Sequence, residues 1–367
     1  MKSISYLIVF SILLAACSTP GPHFTLNGNI QGADSITFLL QKREGGKFVT
    51  IDSAFAKKGS FQMKGGAVKY PEMVMLTAKN TPMRTSFYLE NSNITITGKL
   101  DSLFNAKVTG SKTQDEYNGF IQENKALNDK YSKIYSEYQL ANQQGDTAKV
   151  SQIRKEAQAV ENEMTQLQKD FIKSHPASFV TPSLIQGLSY ELSASELESY
   201  LNELDTAVAN TPAVKDLKAR VELMKTVEVG QKAPDFTLND PEGKPVSLYS
   251  QIGSKLLLID FWAGWCGPCR RENPFLVKVY NEFHKKGFNI LGVSLDQNRD
   301  EWLKAIADDK LTWPQVSDLQ YWNNAAARLY AVNSIPANFL LDQNGVIIAR
   351  NLRGEELYNK VKEILSK

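Results

Sequence analysis

Three patterns of apolar and polar positions succeed one another along the chain. Across residues 24–110 the apolar residues fall in short runs and alternations, as in Asn93-Ile94-Thr95-Ile96-Thr97, with further runs at residues 35–40, 48–54, 70–77 and 86–89. Gly45-Gly46, Lys58-Gly59 and Gly65-Gly66 punctuate them as turns. This alternation predicts a small all-β domain, a sandwich or an open barrel. From residue 113 to 226 the period becomes helical. Tyr117, Phe120, Leu127, Tyr131, Ile134 and Tyr138 recur at three- and four-residue steps, with Asn124 in the remaining slot. After Gly145-Asp146 the series Val150, Ile153, Ala157, Val160, Met164, Leu167 and Phe171 repeats those steps. Two such stripes joined by a glycine-containing break predict an antiparallel helical hairpin. A stripe this narrow can be satisfied within the hairpin, which favours a spacer or packing arm over a dimer interface. Ser193 and Glu196 have capping-box spacing ahead of one further helix, and Pro212 opens another.

From residue 229 strands alternate with helices. Strands are expected at residues 255–261, 288–295, 338–341 and 346–350, and helices at 267–285, 299–308, 323–330 and 355–365. The last two strands are joined at Gln343-Asn344-Gly345, an Asn-Gly hairpin signal. This order predicts an α/β layer architecture with helices on a mixed sheet. The fold expected is therefore multidomain: a β-rich domain over 24–112, a helical region over 113–226 and an α/β domain over 227–367.

Residues 6–16 form an apolar stretch after Lys2, too short for a membrane span and closing on Ala15, Ala16 and Cys17. Such a segment reads as an export signal over residues 1–16. Leu14-Ala15-Ala16-Cys17 also resembles the bacterial lipobox, and that resemblance implies lipidation at Cys17, with residues 17–23 as a leash. Ser18, in place of the aspartate that often retains lipoproteins at the inner membrane, favours the outer membrane. The expected location is the periplasmic side of the cell envelope, held to the membrane by the lipid.

Composition narrows the chemistry. Lys plus Arg (42) nearly balance Asp plus Glu (40), so no large basic field is available for nucleic acid. The chain has 3 Cys and 3 His. Three cysteines in 367 residues cannot form a disulfide framework, and outside Cys17 they are the pair Cys266 and Cys269.

Cys266-Gly267-Pro268-Cys269 stands at the predicted start of a helix, where the two sulfurs lie on one face within reach of a disulfide. The positive end of the helix dipole favours the thiolate of Cys266, which makes it the attacking sulfur and Cys269 the resolving one. Pro268 suits an early helical position. A zinc site lacks ligands, since no second Cys-x-x-Cys is present. Haem attachment lacks its histidine, because Arg270 follows Cys269. A purely structural bond would gain little from so short a loop. No metal and no cofactor other than the redox disulfide is expected.

The segment Asp260-Phe261-Trp262-Ala263-Gly264-Trp265-Cys266-Gly267-Pro268-Cys269 resembles the active site of thioredoxins. Pro274 matches the proline that kinks that helix, and Ile335-Pro336 before an apolar strand resembles the cis-proline loop. The opening Val229-Gly230-Gln231-Lys232-Ala233-Pro234-Asp235-Phe236 narrows the likeness to TlpA/ResA-type thiol-disulfide oxidoreductases. The resemblance covers residues 229–367. It implies that Asp260 is a buried carboxylate of raised pKa that takes the proton of Cys269. It also implies that Trp265, Gly267, Pro268, Ile335 and Pro336 meet the substrate, with Trp262 as packing. Glu272 sits where related exported proteins carry an acidic residue, although a solvated helix position is the simpler reading. His284 is read as a partner of the helix C-terminus. The implied partners are disulfide-containing extracytoplasmic proteins and an unidentified membrane electron donor, with apocytochrome maturation as a family-level option. Gly267-Pro268 between the cysteines, the thioredoxin-type dipeptide, favours a reductase of protein disulfides; a disulfide oxidase or isomerase, and a lipid-anchored binding module with a dedicated redox domain, are the alternatives. A thiol peroxidase is disfavoured, since Ile259 and Ala263 occupy the Pro and Thr/Ser positions of its motif.

Overall fold

A computed structural model describes residues 23–366. The export signal and Cys17 lie outside the described residues. The chain forms two compact units. One ends at Leu167 and also takes in Ser178–Val180; the other comprises Gln168–Ala177 and the chain from Thr181 onward. The division falls inside a helix, whereas the change in sequence period falls near residue 112.

The first unit holds strands β1 (Phe24–Gln31), β2 (Thr37–Glu44), β3 (Lys47–Phe55), β4 (Ser60–Gly65), β5 (Glu72–Ala78), β6 (Arg84–Leu89), β7 (Asn93–Lys99) and β8 (Lys107–Thr109). They form two four-stranded sheets, ordered β4-β1-β7-β8 and β3-β2-β5-β6. Inward-facing Leu26, Ile30 and Ile96 of one sheet and Phe38, Leu40 and Leu76 of the other share one apolar core. Phe38 stacks on Phe61 at 4.5 Å between ring centroids. Gly28 is required here: a Cβ at that position would lie 2.0 Å from the Phe61 ring. Helices α1 (Lys112–Gln143) and α2 (Thr147–Ser174) follow, joined at the positive-φ Gly145. Tyr131 donates to Glu161 at 2.8 Å and Arg154 to Tyr138 at 3.4 Å, a pairing in which the chain runs in opposite directions. The expected antiparallel hairpin is therefore present, with Ile153 and Val160 of its stripe buried.

After the end of α2 the second unit continues with helices α3 (Thr181–Leu188), α4 (Ala194–Asn202), α5 (Thr206–Ala209) and α6 (Pro212–Lys225). The capping box at α4 forms as the spacing predicts, Ser193 accepting from Glu196 N–H while Glu196 accepts from Ser193 N–H. A short ribbon, β9 (Thr237–Asn239) and β10 (Pro245–Ser247), precedes a five-stranded sheet. That sheet contains β11 (Leu256–Trp262), β12 (Phe288–Ser294), β13 (Gln315–Val316), β14 (Ala337–Asp342) and β15 (Ile347–Arg350). Helix α7 (Gly267–Phe283) follows β11, α8 (Arg299–Asp309) follows β12, α9 (Ala325–Leu329) precedes β14, and α10 (Gly354–Leu365) closes the fold. The order is β13-β12-β11-β14-β15, with β11 to β13 parallel and β14 and β15 antiparallel. This is a thioredoxin-like arrangement on a mixed sheet. The Asn-Gly hairpin forms as expected: Asp342 accepts from the N–H groups of Asn344 and Val346, both at 2.9 Å, and Gly345 takes φ +77°. The two-residue β13 carries no periodic signal and went unpredicted; it pairs through Gly292 and Val293 of β12. Among the described residues no helix is long and apolar enough to cross a membrane.

Candidate active site

Every residue of β11 is buried, Leu-Leu-Leu-Ile-Asp-Phe-Trp, as a central parallel strand covered on both faces requires. Asp260 is the one charge in that run, 4% exposed and paired in register with Gly292 and Asn338. Removal from water penalises its ionised form and pushes the carboxyl up to about 7. The Arg353 charge opposes that rise and the Glu272 charge adds to it. The structure thus places Asp260 in the apolar setting expected of it.

Past Trp262 the chain turns into α7 with Cys266 as N-cap, its sulfur accepting from Cys269 N–H at 3.2 Å. Cys266 and Cys269 are joined as a disulfide, their Cα atoms 5.3 Å apart. Gly267 and Pro268 occupy the first helical positions, where proline gives up no intrahelical bond. Pro274 lies within the same helix. In the bonded form Cys266 is 3% and Cys269 1% exposed. The Cys266 sulfur lies 3.8 Å from the Ile335 carbonyl oxygen, and the Ile335–Pro336 peptide bond is cis. Tertiary folding therefore brings together two loops separated by 69 positions.

Around the disulfide the two tryptophans differ in burial. Trp262 is 1% exposed and donates through its indole N–H to Gln315 at 3.0 Å. Trp265 is 46% exposed and stands 5.1 Å from the ring of Tyr321 and 6.1 Å from that of Trp322. The two latter aromatics, next to Trp265 in space, had no local signal in the sequence. His284 stands at the C-terminal end of α7, and its Nδ1 lies 3.3 Å from the carbonyl oxygen of Phe288, beyond the helix.

Two readings change. Glu272 is half-buried and accepts from Gly354 N–H at 2.8 Å, so it ties α7 to the start of α10 and is not a solvated helix position. At the cis-proline loop the Pro336 carbonyl is occupied by the Arg353 guanidinium, which also donates to the Leu352 carbonyl at 3.1 Å. The backbone of Ile335 is what remains for an incoming chain: among the described residues its N–H and C=O take no backbone partner. Arg353 follows the last strand by three residues and belongs to no motif, which is why the sequence did not reveal it.

Two further polar groups fix the Trp265 loop. Gly264 N–H donates to the buried Asp296 carboxylate at 2.9 and 3.1 Å, and Ser294 donates to the same group at 2.7 Å. Arg270 forks onto Asp309 and donates to the Gly264 carbonyl at 3.2 Å, while buried Asn273 donates to Asp309 at 2.6 Å. Asp309 therefore holds the first turn of α7 against the end of α8. Asp309→Ala should cost about 2–3 kcal/mol, because it strands a charge-assisted donor and a buried amide together. Chemical unfolding checks this, and an unchanged midpoint would deny the clamp. Among the described residues no cluster of histidine, cysteine or carboxylate could hold a metal ion.

The fold and this disulfide at a helix N-terminus define a thioredoxin-like redox domain. The AhpC/TSA family model matches residues 229–350, and the model of a domain of unknown function (DUF4369) matches residues 24–117. The thiol-disulfide oxidoreductase ResA of Geobacillus thermodenitrificans is 36% identical over 121 residues, 33% of this chain and 67% of that protein. ResA of Bacillus thuringiensis is 29% identical over 141 residues, 38% of this chain and 79% of that protein. The thioredoxin domain of a thiol-disulfide oxidoreductase from Bacteroides vulgatus is 40% identical, with a TM-score of 0.36, covering 38% of this chain and 98% of that one. Through its C-terminal part the chain belongs to the thioredoxin-like thiol-disulfide oxidoreductase family, and it is an oxidoreductase enzyme.

Proposed function

We propose that the protein is an extracytoplasmic protein-disulfide reductase working through Cys266 and Cys269. The observation that carries this reading is their disulfide at the start of α7, with the Cys266 sulfur 3.8 Å from the Ile335 carbonyl oxygen; the strand that leads into the site carries the buried Asp260, whose carboxyl is pushed up to about 7. In the reduced enzyme the helix N-terminus favours the Cys266 thiolate. That thiolate attacks one sulfur of a client disulfide, forming a Cys266–client bond and releasing the other client sulfur as thiolate, which takes a proton from water. Asp260 accepts the Cys269 proton as Cys269 attacks the Cys266 sulfur. The mixed disulfide breaks, the client's second sulfur leaves as a thiolate that takes a proton from water, Asp260 later returns its proton to solvent, and the enzyme is left as the Cys266–Cys269 disulfide. Two electrons pass to the client, and an unidentified membrane donor returns them. Trp265 with Tyr321 and Trp322 offers the apolar docking surface, and the Ile335 backbone pairs with the extended client chain.

The envelope setting rests on Leu14-Ala15-Ala16-Cys17, with lipid at Cys17 as the tether. Reductase direction rests on Gly267-Pro268 between the cysteines, the dipeptide of thioredoxin, whose potential is about −270 mV. Equilibration of the protein with dithiothreitol tests it. A value near −270 mV together with insulin reduction supports the proposal, and one near the roughly −120 mV of a strong oxidant overturns it.

A further inference from the structure

Between the helical segment α3–α6 and the face of the sheet that carries β14 and β15 lies a cavity of about 250 Å³. Its walls include Ser189 and Leu192 from the helical side, and Val332, Ser334 and Phe339 from the redox domain. Two arginines also line it, Arg220 of α6 and Arg350 of β15. Both are half-buried, and among the described residues neither forms an ion pair. The Arg220 Nε–H is buried without a hydrogen-bond partner, and its one contact is a long 3.5 Å bond to the Ser189 carbonyl. The Arg350 guanidinium rests on the Phe339 ring at 5.3 Å from its centroid, which leaves its N–H edges directed elsewhere. Burial, and for Arg220 also the charge of Arg350, pushes each below the ordinary arginine range. Two partly desolvated positive charges facing one cavity with no carboxylate in ion-pair contact are costly, and nature ordinarily pairs them.

We propose that this cavity is a carboxylate-binding site in which Arg220 and Arg350 together hold the anion. A carboxylate suits it better than phosphate for two reasons. Glu191 on the rim and the nearby Glu228 charge already offset part of the positive field, which favours carboxylate groups, each carrying one charge, over a doubly charged phosphate group. Leu192, Val332 and Phe339 offer apolar surface for a carbon skeleton, which a bare inorganic ion would not use. The carboxylate has two sources, a free small acid or an acidic side chain of a client lying along the loop that contains Ser334 and Ile335. The second source rests on the reductase reading; the first does not.

Titration calorimetry of the full chain with succinate, succinamide and inorganic phosphate separates these. Saturable binding of succinate but not succinamide, weakened about tenfold or more by Arg220→Gln and by Arg350→Gln, establishes the site with a free acid. If succinate does not bind, a client peptide with Glu near its disulfide should show a KM about tenfold below its Gln twin, the advantage vanishing in Arg350→Gln. Neither effect, or phosphate binding more tightly than succinate, overturns the proposal. Thermal melting guards against misfolding: removing an unpaired, half-buried charge should leave the melting temperature unchanged or raise it. A lowered melting temperature in both variants with ligand affinity intact would make the arginines structural and also overturn it. Because the succinate titration involves no disulfide exchange, its result stands whichever way the redox assignment falls.

Discussion

Cys266→Ser should lower insulin reduction by on the order of 10³-fold or more and trap no client, because it removes the only thiolate placed to attack. Cys269→Ser should instead accumulate a covalent client adduct at Cys266, stable on non-reducing gels and released by dithiothreitol. The asymmetry follows from geometry. Cys266 caps α7 and its sulfur receives the Cys269 N–H, so charge is stabilised on that sulfur. Cys269 lies in the first turn of the helix, bonded to Cys266, and among the described residues its sulfur receives no such backbone donor. Adducts on Cys269 in the Cys266→Ser variant would reverse the roles. The same thiolate should react with iodoacetamide faster than a free cysteine does.

Asp260→Asn should have two opposite consequences. In the folded oxidised protein the carboxyl titrates at about 7 because burial disfavours its charge, against roughly 3.9 in the unfolded chain. Between those values the native state holds a proton that the unfolded state has released. Stability is therefore full below about pH 4 and declines as pH rises towards about 7, by a total of about 4 kcal/mol. Asparagine cannot ionise, so the variant should match the wild type near pH 4 and exceed it by up to about 4 kcal/mol at pH 8. Tryptophan fluorescence during guanidinium unfolding reports this locally, since all 5 Trp lie at or beyond position 262. The same change should slow release of the mixed disulfide by about 10²–10⁴-fold at neutral pH, the usual worth of a positioned base. A variant with wild-type resolution kinetics would remove Asp260 from the mechanism, and equal stability at pH 8 would remove the charge from its burial.

The two stripes of α1 and α2 and the β11–α7 connection were readable because each is a local pattern in one stretch of chain. Glu272 was misjudged for the converse reason: helical spacing alone places it outward, and only the arrival of Gly354 from 82 positions away gives it a partner. Arg353, Asp296 and Asp309 were missed alike. Each is an ordinary charged residue until the fold sets Arg353 against the Pro336 carbonyl, Asp296 against the Gly264 amide, and Asp309 against the Arg270 and Asn273 side chains of α7. The division of the chain inside α2 was equally hidden, since a continuous helix gives one uninterrupted periodicity wherever its neighbours change.

What the linear chain determined is the order of its elements and the identity of its reactive pair. Alternation, helical period, a capping proline and a three-residue cysteine spacing all act over one or two turns of backbone. What only tertiary structure decided is the environment of that pair: the low-dielectric burial that raises Asp260, the Ile335 backbone beside Cys266, and the facing of Arg220 and Arg350. Those depend on distances between segments far apart in the chain, and electrostatic and hydrogen-bond energies are set by distance and by exclusion of water.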